Sequence, residues 1–242
     1  MRHGNSTAPG ILQLWYSKIS ESTLTAEDAV IRMLSVSEQR RLNSIGSKTR
    51  RREYLLSRAL MRHALSQRFL RQESEWLFED LPQSAPVVSN LPADTHISLS
   101  HSNGFICFAI AASPLGIDIE AADRKRDFDA LAEAFMNDEE LACLAARKSG
   151  QADYFYRVWS AKEACYKMLS PTRQSATSLQ QLCYSELGGE DTHGYLYEAR
   201  LGDFVVAAMM TARPDRVSRN YFLTDKKSLQ QTSDSESRSG AR

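Results

Sequence analysis

The sequence predicts a chain of mixed helices and antiparallel strands, and three observations carry that prediction. Residues 154–169 repeat apolar side chains at three- and four-residue spacing (Phe155, Val158, Cys165, Leu169), the period of a helix with one buried face. Residues 96–112 read as a hairpin, an alternating segment and an apolar run joined by the turn signal Ser102-Asn103-Gly104. After residue 182 come short strand-like segments near 182–187, 194–200, 204–211 and 220–223, separated by Gly- or Pro-containing turns, which reads as an antiparallel meander.

The 242 residues suit one large domain or two small ones, and 42% hydrophobic content is enough for a core. Four cysteines at 107, 143, 165 and 183 form no CxxC or Cys/His cluster, so they read as buried thiols in a reducing compartment rather than a zinc site. The polar N-terminus has no apolar leader, and the longest apolar run, 105–112, is too short for a bilayer. The expectation is a soluble cytoplasmic protein with no membrane partner. Formal charge is zero overall, yet residues 40–71 hold ten Lys/Arg and one acid, Glu53. That patch suits a compact anion better than a long nucleic acid.

In chain order, residues 11–18 form a candidate strand. Residues 20–32 read as a loop and short helix with Thr25 as a possible cap. Residues 35–45 form a second helix in which Ser35 and Glu38 stand at capping-box spacing. Residues 48–70 make a long basic helix whose apolar side carries Leu56, Ala59 and Leu60, with Arg58 and Arg62 turned the other way as a solvated face holding one or two anion contacts. Residues 75–79 suggest a short strand, and prolines 82, 86 and 92 punctuate a loop. Residues 115–120 form the next strand. Helices follow over 127–135 and 138–148, the second capped by Asn137. From residue 224 the composition is that of a disordered tail. The sequence contains no visible internal repeat.

Three segments hold candidate chemistry. Gly116-Ile117-Asp118-Ile119-Glu120 alternates strictly, so Asp118 and Glu120 share the face opposite the two isoleucines. Two carboxylates side by side are either a solvated face or a seat for a divalent cation such as Mg²⁺, with Glu163 available as a third. His101 ends the strand Ser98-Leu99-Ser100-His101-Ser102, as a structural histidine or a phosphate contact. In Trp159-Ser160-Ala161-Lys162-Glu163-Ala164-Cys165-Tyr166-Lys167, Lys162 falls on the apolar face where a core helix would carry Leu. Glu163 lies four residues from both Trp159 and Lys167, as a surface ion pair or part of a site. There is no GxxxxGK[ST] or GxGxxG loop, so side chains and metal would have to hold any phosphate.

Taken in order, SLSHS (98–102), GIDIE (116–120) and WSAKEACYK (159–167) resemble the 4′-phosphopantetheinyl transferase superfamily, of the larger pseudo-dimeric Sfp type. The resemblance implies an α+β fold of two pseudo-twofold-related lobes, each a small antiparallel sheet on a long helix, with a ligand cleft between them. The lobes would be 1–112 and 113–223, the second carrying the metal site, followed by the tail 224–242. It implies a holo-[acyl-carrier-protein] synthase type enzyme. Such an enzyme transfers the 4′-phosphopantetheine arm of coenzyme A to a serine of an acyl, peptidyl or polyketide carrier protein and releases adenosine 3′,5′-bisphosphate. Asp118, Glu120 and Glu163 would hold Mg²⁺. Arg41, Arg58, Pro86, Ser100, His101, Lys162 and Lys167 would contact the coenzyme. Glu163 would be the base, with Lys162 and Lys167 neutralising phosphate. The loop before the SHS strand keeps Pro86 but lacks the Gly and Lys often found there in the family. A chain containing both lobes would act as a monomer. The competing readings are a non-catalytic module for an acidic protein and another Mg²⁺-dependent phosphotransferase.

Overall fold

The computed structural model describes residues 10–19, 27–80, 85–122, 128–188 and 194–222, with Asp129 described by its backbone alone. The expected cap at Thr25 and the expected tail lie outside these residues.

The first half runs β1 (Ile11–Lys18), α1 (Glu27–Met33), α2 (Val36–Ser44) and α3 (Lys48–Phe69), then a 3₁₀ turn at Glu73–Glu75. A small strand pair follows, β2 (Phe78–Glu79) and β3 (Val87–Val88), and then the hairpin β4 (His96–Ser102) and β5 (Phe105–Ala111). The second half runs β6 (Leu115–Ala121), α4 (Asp129–Glu133), α5 (Asp138–Ala145) and α6 (Gln151–Met168). It continues through α7 (Pro171–Ala176), a 3₁₀ turn at Leu179–Gln181, α8 (Tyr184–Leu187), the hairpin β7 (Tyr195–Leu201) and β8 (Phe204–Met210), and β9 (Arg216–Tyr221).

The two halves share one topology. Each passes from a strand through a capped short helix to a long helix and then a hairpin. The hairpin's second strand lies antiparallel beside the opening strand, giving the orders β4-β5-β1 and β7-β8-β6. The repetition is in topology and escapes the amino-acid sequence.

Period-two alternation builds the layers. Leu12, Leu14 and Tyr16 of β1 face Leu115, Ile117 and Ile119 of β6 in a core between the two sheets. Trp15, Ile106, Phe108 and Ile110 face the other way and bury Leu56, Leu60 and Ala64 of α3. On the far side of the second sheet, Ala161, Ala164 and Cys165 of α6 pack on Ala207 and Met209. The order of layers is helix, sheet, sheet, helix. Each fully buried Leu or Ile contributes about 1.5–3 kcal/mol of transfer free energy.

Four expectations need correction. Of the four cysteines Cys107 and Cys165 are buried, whereas Cys143 is exposed and Cys183 half-buried. The segment 182–187 is not a strand: α8 begins there, its Tyr184 N–H donating to Glu140 Oε1 at 2.8 Å. A carboxylate 44 residues away sets that start, and no local pattern displays it. The last strand does not extend a meander. β9 pairs in parallel with β1, and Asp215 ties its entry to Gly10 through Asp215 Oδ2, which accepts the Gly10 N–H at 2.7 Å. The arginine face of α3 is not solvated. Arg58 and Arg62 are 4% and 1% exposed, because Glu38 and Asp80 follow them into the interior. Both nitrogens Nη1 and Nη2 of Arg62 reach Glu38, at 3.0 and 2.6 Å, and Arg58 Nη2 reaches Asp80 at 2.7 Å. The capping box of α2, by contrast, forms as the spacing predicts, from Ser35 and Glu38.

Candidate active site

The site begins with a glycine. A Cβ on Gly116 would lie 2.0 Å from the Ala164 carbonyl oxygen and 2.6 Å from Met168 N. Only glycine lets the backbone of α6 rest on β6 here. That contact sets Glu163 and Lys167 over the β6 face that carries Asp118 and Glu120.

The edge of β6 is completed by side chains. The hydroxyl oxygens of Ser98, Ser100 and Ser102 on β4 accept the N–H groups of Ile117, Ile119 and Ala121, at 3.0, 3.3 and 3.3 Å. A strand with three serines on one face thus stands in for a neighbouring backbone and joins the two sheets. Two of the hydroxyls also donate to the carboxylates, Ser100 to Asp118 Oδ1 at 2.9 Å and Ser102 to Glu120 Oε2 at 2.8 Å.

Asp118 is 3% exposed, so the solvated-face reading of this strand does not hold for it. Lys167 Nζ lies 2.7 Å from Asp118 Oδ1 and 3.2 Å from Ser100 Oγ. Asp118 Oδ2 is buried with no hydrogen-bond partner. Trp159 Nε1 donates to Glu120 Oε1 at 3.3 Å. Burial pushes the Glu120 carboxyl above its ordinary value, and the Asp118 charge adds to the push, against hydrogen bonds from Ser102 and Trp159 and the Lys167 charge. Glu163 is also raised, first by burial, with Lys167 opposing and Asp118 and Glu120 adding to the shift.

The three carboxylates therefore feel one another's charge. Among the described residues no three such groups converge at ligating distance, and the Lys167 ammonium supplies the positive charge among them. Asp118 Oδ2 is bare and buried, and it stands with the Glu120 and Glu163 carboxyls as hard oxygens of the type a divalent cation takes, while Lys167 occupies Asp118 Oδ1.

His101 lies nearby on β4. Its Nδ1 is 3.2 Å from Oε1 of Glu53, the one acid of the basic helix. That hydrogen bond is the main cause raising the imidazole and lowering the Glu53 carboxyl. Arg41 is exposed on α2, and Pro86 is half-buried just before β3.

Lys162 and Arg58 are placed elsewhere than expected. Lys162 is fully buried: its Nζ donates to the Phe135 carbonyl at 2.9 Å and forms a short ion pair with Glu140 Oε2. Arg58 is held by Glu38 and Asp80 as described. Neither is presented to a ligand at the carboxylates. Ser98, Ser102, Trp159 and Glu53 join the site although the sequence gives none of them a role of its own; Ser98 and Ser102 stand in the SLSHS segment, Trp159 stands four residues before Glu163, and Glu53 is the one acid of the basic stretch.

A pocket of about 240 Å³ lies at the other end of the strands, lined by Gly10, Ala112, Ser113, Arg213 and Asp215 among others. It holds none of these groups.

Residues 114–198 match the model of the 4′-phosphopantetheinyl transferase superfamily, and this segment contains β6 and α6. The chain is 34% identical over 114 residues to "4′-phosphopantetheinyl transferase Sfp" of Bacillus subtilis (strain 168), covering 47% of this chain and 50% of that protein. It is 33% identical over 119 residues to "4′-phosphopantetheinyl transferase psf-1" of Bacillus pumilus, covering 48% and 49%. It is 33% identical over 78 residues to "4′-phosphopantetheinyl transferase gsp" of Aneurinibacillus migulanus, covering 31% and 32%. The matched part of the chain spans about half the length of the first two curated relatives. The segment that matches the 4′-phosphopantetheinyl transferase superfamily model, residues 114–198, contains the Gly116 contact and the carboxylates of β6 and α6, and the relatives that the chain resembles over about half their length are named 4′-phosphopantetheinyl transferases.

Proposed function

We propose that this protein transfers the 4′-phosphopantetheine arm of coenzyme A to a serine of an acyl, peptidyl or polyketide carrier protein, releasing adenosine 3′,5′-bisphosphate. The observation that carries the reading is the carboxylate face of β6 and α6, with Asp118 buried and a lysine seated on it. In this reading the two halves are pseudo-twofold lobes, 1–112 and 113–223, with coenzyme A in the cleft between them. The shared strand order of the halves supports that relation. The enzyme would work as a monomer in the cytoplasm, needing neither nucleic acid nor membrane. Among the described residues no helix is long and apolar enough to cross a membrane.

Asp118, Glu120 and Glu163 would hold Mg²⁺, which when bound supplies charge neutralisation for the pyrophosphate. The remaining steps belong to the chain's own groups. Lys167, partly exposed, leaves Asp118 and pairs with phosphate oxygen. His101, kept basic by Glu53, donates to a second phosphate oxygen. Arg41 faces the 3′-phosphate, and Pro86 shapes the loop beside the nucleotide.

Glu163 takes the proton of the carrier serine, directly or through a water. Burial raises its pKa in the metal-free chain, which favours a base, and a Mg²⁺ ion on the same carboxylate would weaken that basicity, so the two roles compete. The serine oxygen forms a bond to the phosphorus bearing pantetheine, and that phosphorus parts from the oxygen of adenosine 3′,5′-bisphosphate. Positioning and charge neutralisation carry most of such a transfer.

The test is transfer by the wild type, Asp118→Ala and Glu163→Ala. Each variant should lose activity by about a hundredfold or more while keeping the wild-type circular dichroism. Near-wild-type turnover in either one contradicts the reading.

A further inference from the structure

We infer that Lys162 is a positioning residue that fixes Trp159 against Glu120, and not a phosphate contact. This rests on the proposed reading for its catalytic meaning, though its structural content stands without it.

The geometry runs as a relay. Glu140 is the acid of the capping box at the start of α5, formed with Asn137. Its Oε2 accepts the Asn137 N–H at 3.0 Å and also meets Lys162, while Oε1 accepts the Tyr184 N–H at 2.8 Å. Lys162 donates as well to the carbonyl of Phe135. The Phe135 ring stands edge-on to Trp159, with centroids 4.6 Å apart and planes at 84°. Trp159 in turn donates to Glu120. One ammonium therefore ties the start of α5, the preceding turn and the rotation of α6 to a carboxylate of the site. Lys162 has no exposed surface with which to meet a ligand.

The first half repeats the device without the chemistry. Glu38 is the acid of the capping box of α2, formed with Ser35. It is clamped from the long helix by Arg62, whose Nη2 also donates to the Met33 carbonyl at 3.0 Å. Met33 stands two residues before its N-cap, as Phe135 stands two before Asn137. The pairs are 24 and 22 residues apart. A cation that appears in the same architectural place in both halves belongs to the fold. In the second half alone does it support a carboxylate face.

The repeat supplies the control. The full chain is labelled with ¹⁵N, and the indole N–H resonance of Trp159 is assigned by its loss in Trp159→Phe; the other two tryptophans are Trp15 and Trp76. Glu140→Gln/Lys162→Met removes both charges, so no unpaired ion is left buried. Glu38→Gln/Arg62→Met does the same in the first half. Both double variants should melt below wild type. The first should move the Trp159 resonance and leave Trp15 and Trp76 in place, and the second should leave Trp159 in place. Lys162→Arg, which keeps the cation, should hold the Trp159 resonance near its wild-type position.

In the transfer assay Glu140→Gln/Lys162→Met should lower kcat by about tenfold or more with the KM for coenzyme A unchanged, the signature of misplaced machinery. A Trp159 resonance that stays in place in that variant overturns the inference, whether or not the protein melts earlier. So does a raised KM at unchanged kcat. Absence of transfer by the wild type would sink the enzymatic reading instead, and the resonances would still decide the positioning role.

Discussion

The Ser100 hydroxyl donates to Asp118 Oδ1 at 2.9 Å and accepts the Ile119 N–H at 3.3 Å, joining the edges of two sheets and a carboxylate through one oxygen. Ser100→Ala would leave the buried Ile119 N–H without its partner and remove one of the two donors to Asp118 Oδ1, which keeps Lys167. The expected loss is about 1–3 kcal/mol of stability. It should show as a lower urea midpoint with unchanged slope. A midpoint equal to wild type would mean that the serine ladder does not hold the sheets together.

Gly116→Ala places a methyl where the α6 backbone already stands, 2.0 Å from the Ala164 carbonyl. Neither backbone can yield without moving Glu163 and Lys167. We expect about 3 kcal/mol or more of destabilisation, and a loss of transfer of about a hundredfold or more in whatever folds, since displacement of about 1 Å is enough for that. Full activity from a well-folded Gly116→Ala protein would contradict the account of how the site is positioned.

Glu120 and Glu163 have raised pKa values in the folded chain. The sign follows from linkage. Folding is least hindered below the ordinary carboxylate value of 4.5, and stability falls as pH rises through the raised values. The melting temperature of Glu163→Gln should therefore exceed that of wild type at pH 8, and the gap should close by pH 4. Mg²⁺ should raise the wild-type melting temperature more at pH 8 than at pH 5. Equal gaps at all pH values would show that Glu163 does not carry this strain.

The His101–Glu53 pair stabilises most in a window of pH, bounded by one group on each side. The imidazole is raised above 6.5, so its contribution is full below that value and fades as pH rises through the raised one. The Glu53 carboxyl is lowered below 4.5, so its contribution fades as pH falls through the lowered value. His101→Ala should cost most stability between these limits, near pH 5–6, and less at pH 8.5. A difference in melting temperature that does not vary with pH would remove the ion pair from the account.

Much of the site was legible in the sequence because strand alternation is local. Asp118 and Glu120 share a face because they are two residues apart, and the isoleucines between and before them face the sheet core. The capping boxes of α2 and α5 are written locally too. The fates of the cations were not. Arg58 and Arg62 sit on a face that reads as solvated and Lys162 on one that reads as core, and acids 20–24 residues away take all three into the interior. The capping-box glutamates do two tasks with two oxygens, and the sequence displays only the capping. β9 likewise pairs with β1 across about 205 residues, which no turn signal announces.

The most direct measurement is the mass of an apo carrier protein after incubation with this protein, coenzyme A and Mg²⁺. A panel of acyl, peptidyl and polyketide carriers should be used, with an EDTA control. The account predicts a gain of about 340 Da, one phosphopantetheine arm, on at least one carrier, lost with EDTA. No gain on any carrier, by a folded protein that does not bind coenzyme A, would contradict it.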